Sequence, residues 1–251
     1  MPGVVVEAAV SDRAISFHPI EAFRDDPNCP PFIRDALPPL KIQIGAGARP
    51  LDGFINVEPR ATTQPGYKRG HAFDLSFAAD HSVDVIFANA VFEHLYLRQV
   101  GFAIYEWRRA LKPDGALAMV GIPDFATIAQ LYLDRAPGVT QPTFDIFEVY
   151  RYTHGFPEAT IDTPIWAGWS PSAHLNDAPD GWLPQLHKAV YDADILKQLF
   201  THGGFDVTVI RYAYPGETGH KLNLGVIVGD DWWDLIPGLE QVCDVDSIEE
   251  A

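Results

Sequence analysis

A chain of 251 residues, 47% hydrophobic and 21% charged, can bury a core of its own and suits one α/β domain with an insertion better than two domains. With 34 acidic against 18 basic residues and a formal net charge of −16, it lacks the basic footprint of duplex and tRNA binders, so no nucleic-acid substrate is expected. Its two cysteines, Cys29 and Cys243, form no CxxC pair, which argues against a disulfide framework and a cysteine-rich zinc site.

The opening MPGVVVEAAVSDR has no basic leading segment and no long apolar run, so no secretory signal is read there. No stretch approaches the ~20 apolar residues of a membrane span, and a soluble, cytoplasmic protein without membrane contact is expected. Residues 1–38 are punctuated by Pro19, Pro27, Pro30, Pro31 and Pro38, which reads as an N-terminal arm or cap. Residues 39–230 carry the regular pattern. KIQI (41–44) is a first strand running into Gly45-Ala46-Gly47, and FINV (54–57) a second, ending at Glu58. A short third strand is expected around His71–Phe73, ending at Asp74, and VDVIFA (83–88) is a fourth of the fully buried type. Leu97, Val100, Ile104, Trp107 and Leu111 recur at helical spacing, and Pro113 with Gly115 ends that helix before a fifth strand, ALAMVGI (116–122). Residues 124–135 suit a helix. Beyond it, 136–186 lose all periodicity and are rich in Pro, Gly, His and aromatics, so 124–188 is read as a lid over a substrate. Helical spacing returns over 190–202, capped by Asp192 and stopped by Gly203-Gly204. FDVTVIRY (205–212) and LNLGVIV (222–228) are then two strands joined by a short connector, so the last runs antiparallel, and 231–251 is an acidic tail. Strands alternating with helices in this way give a doubly wound, mostly parallel α/β sheet.

The chemistry concentrates at the first strand–turn. Glycines there let the backbone approach a ligand that a Cβ would block, and an acid ending the second strand can accept hydrogen bonds from both ribose hydroxyls. A nicotinamide dinucleotide fits poorly. The third glycine of GxGxxG is Pro50, and Glu58 comes sooner than the ~20 residues expected of the ribose-binding acid. A ligand without a pyrophosphate suits the turn better.

Four blocks, in order, carry a family resemblance: KIQIGAGARPLDGFINVEP, HAFDLSFAADHSVDVIFANAVFEHL, EWRRALKPDGALAMVGIPD and HKAVYDADILKQLFTHGGFDV. Together they resemble the class I S-adenosylmethionine-dependent methyltransferases, of the methyltransferase type 11-like subgroup. The resemblance implies a Rossmann-like, seven-stranded sheet with an antiparallel last strand, S-adenosyl-L-methionine as cofactor and S-adenosyl-L-homocysteine as product. It implies that Gly45, Ala46 and Gly47 meet the methionine portion and ribose, Glu58 the ribose hydroxyls, Asp74 and Leu75 the adenine, and Asn89 and Ala90 the side near the sulfonium. Ala46 and Asp114 depart from the subgroup's usual Cys and Gly, away from the expected chemistry.

An oxygen acceptor needs a general base, for which Glu93, His94 and His187 are the candidates. His154, Trp169, His174 and Tyr191 are candidates for binding the acceptor, a small molecule such as a sugar, natural product or related metabolite methylated on oxygen or nitrogen. A metal is not expected: His154, His174 and His187 with Asp177 and Asp180 match no usual ligand spacing. The same scaffold could bind the cofactor yet catalyse a cyclisation, or act as a non-catalytic binding module, and a lid-mediated homodimer is compatible with the sequence.

Overall fold

The computed structural model describes residues 38–60, 66–155, 186–215, 220–229, 235–241 and 243–251. Lys41–Ala251 form one unit and Met1–Leu40 another, of which the described part, 38–40, is irregular. The expected lid residues Trp169 and His174, with Asp177 and Asp180, lie outside the described residues.

The sheet is built on two almost wholly buried strands, β1 (Lys41–Ile44), in which even Gln43 is buried, and β4 (Val83–Asn89), whose nearly continuous apolar run suits a sheet covered on both faces. β2 (Ile55–Glu58) pairs parallel with β1 on one side, and β4 pairs parallel with it on the other. β3 (Tyr67–Arg69) extends the sheet beyond β2. β5 (Leu111–Pro123) is parallel to β4, β7 (Asn223–Val228) is antiparallel to β5, and β6 (Thr208–Tyr212) and β8 (Glu249–Glu250) complete the order β3-β2-β1-β4-β5-β7-β6-β8. The chain therefore winds outward from β1 and returns beside it as β4, and ligands of such sheets bind at that switch point.

Two expectations are corrected. The third strand is Tyr67–Arg69 and not His71–Phe73; the Gly70 amide donates to the Glu58 carbonyl at 3.1 Å, after which His71 and Asp74 face each other across a tight turn. The sheet has eight strands and not seven, because Glu249–Glu250 pairs antiparallel with β6. Two consecutive glutamates carry no strand propensity, and backbone pairing alone makes them a strand. Upstream of them, Ile236, Leu239 and Cys243 are buried against Phe87, Val120 and Tyr212. β5 also starts earlier than Ala116, at Leu111, with a register shift as the chain passes Pro113 and Gly115.

Helix α1 (Leu97–Ala110) buries Val100, Ala103, Ile104, Trp107 and Ala110. Its last turn ties down the loop after β3: Trp107 Nε1 donates to the Ala72 carbonyl at 2.7 Å, and Arg109 to the carbonyls of Leu75 and Ala78 and to Asp80. Helix α2 (Phe125–Leu133) starts at Asp124, whose buried carboxylate accepts from Ala126 N and Thr127 Oγ1 and pairs with Arg211 Nε at 2.7 Å. In Asp124→Asn the cap survives through the amide oxygen but the charge facing Arg211 is lost. The expected result is a loss of about 1 kcal/mol in urea unfolding, since the arginine is partly exposed.

The stretch read as irregular contains a further helix, α3 (Ile146–His154), capped by Asp145 and ended by left-handed Gly155. Helices α2 and α3 bury a small core of Ile128, Phe144 and Leu222, with Leu131, Val149 and Tyr152 packed on it. Glu148, fully buried, fixes the loop before α3 by accepting from Thr140 N and Oγ1 and Gln141 N. Helix α4 (Ala193–His202) is capped by Asp192, which accepts from Ile195 N, and ends at Gly203. Among the described residues no helix is long and apolar enough to cross a membrane.

Candidate active site

At the carboxyl ends of β1, β2 and β4 lies a cleft of about 560 Å³, lined by Gly45, Gly47, Glu58, Arg60, His71, Phe73, Ala90, Val91, His94, Tyr96 and Lys188, among others. β1 runs into it through Gly45 and Gly47, both left-handed at φ +69° and +55°. The Gly45 and Ala46 amides donate to the Val57 carbonyl, which locks the turn to β2. A Cβ on Gly45 would lie 2.3 Å from Val91 Cγ2, so only glycine lets the turn pass β4's end at this distance. Ala46, by contrast, is buried and does not line the cleft.

Glu58 ends β2 with its carboxylate 5% exposed as a residue. Oε2 accepts from Gly47 N at 3.0 Å, and Oε1 from Arg60 Nε at 2.6 Å. The carboxylate thus binds the glycine turn and keeps acceptor capacity towards the cleft, because its two oxygens offer about four lone-pair directions. Tyr67 on β3 donates its hydroxyl to the Gly47 carbonyl at 3.0 Å, so both β2 and β3 hold the turn.

His71 and Phe73 line the cleft, their rings stacked at 5.0 Å and 10°. Asp74 and Leu75 do not. Asp74 is exposed, and hydrogen bonds from the Ser76 side chain and from Ser76 N hold its carboxyl below the usual range, while Leu75 is fully buried. The aromatic pair two and four residues after β3 was missed because the strand itself was placed on it; HxF beside a strand end is the signal that could have found it. Ala90 lines the cleft with φ +51°, an unusual value for a residue with a Cβ, whereas Asn89 turns to accept from the Tyr214 hydroxyl.

Glu93 and His94 sit on a single 3-10 turn, Phe92–His94, after β4. The returning chain pairs with that turn, Lys188 N donating to the Glu93 carbonyl at 2.7 Å, and so brings His187 beside His94 with ring centroids 5.0 Å apart. Glu93 is 2% exposed; burial pushes its carboxyl up to about 8. Burial, reinforced by His94, pulls His187 down to about 4, and burial lowers His94 as well. His94 lines the cleft. His154, at the end of α3, is exposed and bonds Thr153 through Nδ1. Tyr191, expected to meet the acceptor, is instead 2% exposed and packs on Phe92 outside the cleft lining.

The family model described as "Methyltransferase domain" matches residues 52–119, from the turn before β2 into β5. The matched segment includes Glu58 and the His71–Phe73 loop, while the glycine turn precedes it. No curated protein sequence matches the chain. Among solved structures it is similar to a SAM-dependent methyltransferase from Archaeoglobus fulgidus, with 11% identity, 76% of this chain and 86% of that one covered, and TM-score 0.45. It is similar to another from Thermotoga maritima, with 17% identity, coverage of 78% and 84%, and TM-score 0.46. A third is the Burkholderia thailandensis 1,6-didemethyltoxoflavin-N1-methyltransferase, described with bound S-adenosylhomocysteine, at 11% identity, 77% and 72% coverage and TM-score 0.43. The cleft suits an S-adenosyl cofactor on two counts: the space over Gly47 is open, a Cβ there meeting nothing closer than 4.0 Å, and the buried Glu58 carboxylate lines the same cleft.

Proposed function

We propose that this chain is a class I, S-adenosylmethionine-dependent methyltransferase that methylates an oxygen or nitrogen of a small-molecule acceptor, such as a sugar, a natural product or a related metabolite. One observation carries the reading: the glycine turn, Glu58 and His94 line a single cleft of about 560 Å³, a size that suits a cofactor and a modest acceptor. The formal charge of −16 disfavours a polyanionic acceptor.

In this reading Gly45 and Gly47 present backbone to the methionine portion and ribose, and Glu58 accepts from the ribose hydroxyls. The stacked pair His71–Phe73 offers the adenine a flat apolar wall, and Ala90 borders the sulfonium side. The cofactor supplies a methyl group on positive sulfur, already activated for displacement. What remains for the chain is to orient the acceptor in line and keep water out. His94, which lines the cleft, receives the acceptor's reacting end in this reading, with Glu93 and His187 beside it.

The test is transfer of labelled methyl from S-adenosylmethionine into fractionated cell extract. Label is expected in the low-molecular-weight fraction. Label confined to RNA or protein would overturn the small-molecule reading while leaving the cofactor intact.

A further inference from the structure

Glu93, His94 and His187 each present one potential ligand atom, and the three atoms lie within 4.8 Å of one another. Atoms bound at about 2.0–2.2 Å to one ion span up to about 4.4 Å, so small side-chain rotations bring the set onto a common centre. Both imidazoles are oriented from behind. The Leu186 carbonyl faces His94 Nδ1 at 3.3 Å, and the Tyr152 carbonyl faces His187 Nδ1 at 2.7 Å. A carbonyl only accepts, so each Nδ1 carries the proton and each Nε2 keeps its lone pair. His94 Nε2 points at Glu93 Oε1, 3.6 Å away. Metal-binding histidines are commonly set this way, one ring nitrogen held by a backbone carbonyl and the other free to ligate.

A second observation points to a ligand. Glu93 Oε2 is buried with no hydrogen-bond partner among the described residues, and so is the hydroxyl of Tyr191. An orphaned carboxylate oxygen, on a residue 2% exposed, is costly unless something meets it.

We propose that Glu93, His94 and His187 bind a divalent transition-metal ion of the zinc type, with an open coordination position towards the cleft. Two imidazoles and one carboxylate are a ligand set of open, reactive sites rather than closed structural ones. Ligands adjacent in sequence joined by a third almost a hundred residues on make no recognisable spacing; the expectation of no metal concerns a different set, His154, His174 and His187 with Asp177 and Asp180. The Lys188 ammonium opposes a cation here; it donates to the Leu186 carbonyl and lies 5.9 Å from the centre of the Tyr96 ring. Metal binding stands on these side chains alone. Its use rests on the proposed function: an acceptor hydroxyl at the open position would release its proton to solvent more readily and present an oxygen lone pair to the methyl group.

The experiment titrates Co²⁺ into metal-stripped full-length protein and follows visible absorption, with S-adenosylhomocysteine binding measured in parallel by calorimetry. One equivalent of Co²⁺ with intense d–d bands is expected in the wild type, and at least tenfold weaker binding in both His187→Ala and Glu93→Gln. His187→Ala is expected to keep S-adenosylhomocysteine affinity within about threefold, which reports an intact fold. No stoichiometric binding to the wild type, or equal Co²⁺ affinity in both variants, would overturn the metal site. Co²⁺ bound by a wild type that fails to bind S-adenosylhomocysteine supports the metal site and removes the acceptor role built on it.

Discussion

Glu58→Gln is expected to weaken S-adenosylhomocysteine binding by about 10–100-fold, the size of a charge-assisted hydrogen bond lost from a shielded site. The substitution keeps shape, and its amide oxygen can still accept from Gly47 N, now 3.0 Å from Oε2. What disappears is the negative charge that makes the residue acceptor-only at both oxygens. The arginine beside it supplies the control. Arg60 bonds Oε1 at 2.6 Å, yet its side chain is 52% exposed, so it can swing aside when a ligand arrives. Arg60→Ala should change affinity less than about threefold, and a loss as large as that of Glu58→Gln would mean that the pair, and not the carboxylate, holds the ligand. Calorimetric titration of the two variants against the wild type checks both.

Gly45→Ala is expected to cost about 2–4 kcal/mol of folding stability and to abolish measurable cofactor binding. Two terms add. The backbone at φ +69° disfavours any residue with a Cβ by about 1–2 kcal/mol. The new methyl group also meets Val91 Cγ2 at 2.3 Å, a clash relieved only by moving Val91, which lines the same cleft. The combination Gly45→Ala with Val91→Ala separates the terms: stability should recover by about half, because the clash goes and the backbone strain stays. Full recovery in urea unfolding would show that φ at this turn is not constrained.

The sheet was readable where burial writes a pattern. VDVIFAN is a nearly continuous apolar run, KIQI and INVE alternate apolar with polar residues at period two, and the turns and caps, Gly45-Ala46-Gly47, Asp192 and Gly203, are residue types with one dominant local use. Where pairing, not side-chain pattern, makes the element, the sequence is silent. β8 is two glutamates joined to β6, and Tyr67–Arg69 alternates too briefly to outweigh the apolar Ala72 and Phe73 that follow. Helix α3 carried an Asp145 cap and a Gly155 stop, but the prolines, glycines and aromatics around them hid both.

The site divides along the same line. Gly45, Gly47 and Glu58 meet because adjacent parallel strands end together, a consequence of topology that local pattern already implies. Asp74 was favoured over His71 and Phe73 by a misplaced strand end, and its side chain turns back on Ser76. The meeting of His187 with Glu93 and His94 depends on where a long insertion returns, through the Lys188–Glu93 backbone bond, and no local spacing encodes that.

The grip of the Glu58 carboxylate, at the end of β2, on a ribose is the central proposal for this site. Its most direct measurement is a thermodynamic cycle between Glu58→Gln and a dideoxyribose analogue of S-adenosylhomocysteine. The wild type should bind the analogue about 10–100-fold more weakly than the parent, and Glu58→Gln should distinguish the two by less than about threefold, since the partner of the hydroxyls is already gone. Undiminished discrimination by the variant would contradict the account, for the sugar would then be gripped by some other part of the molecule.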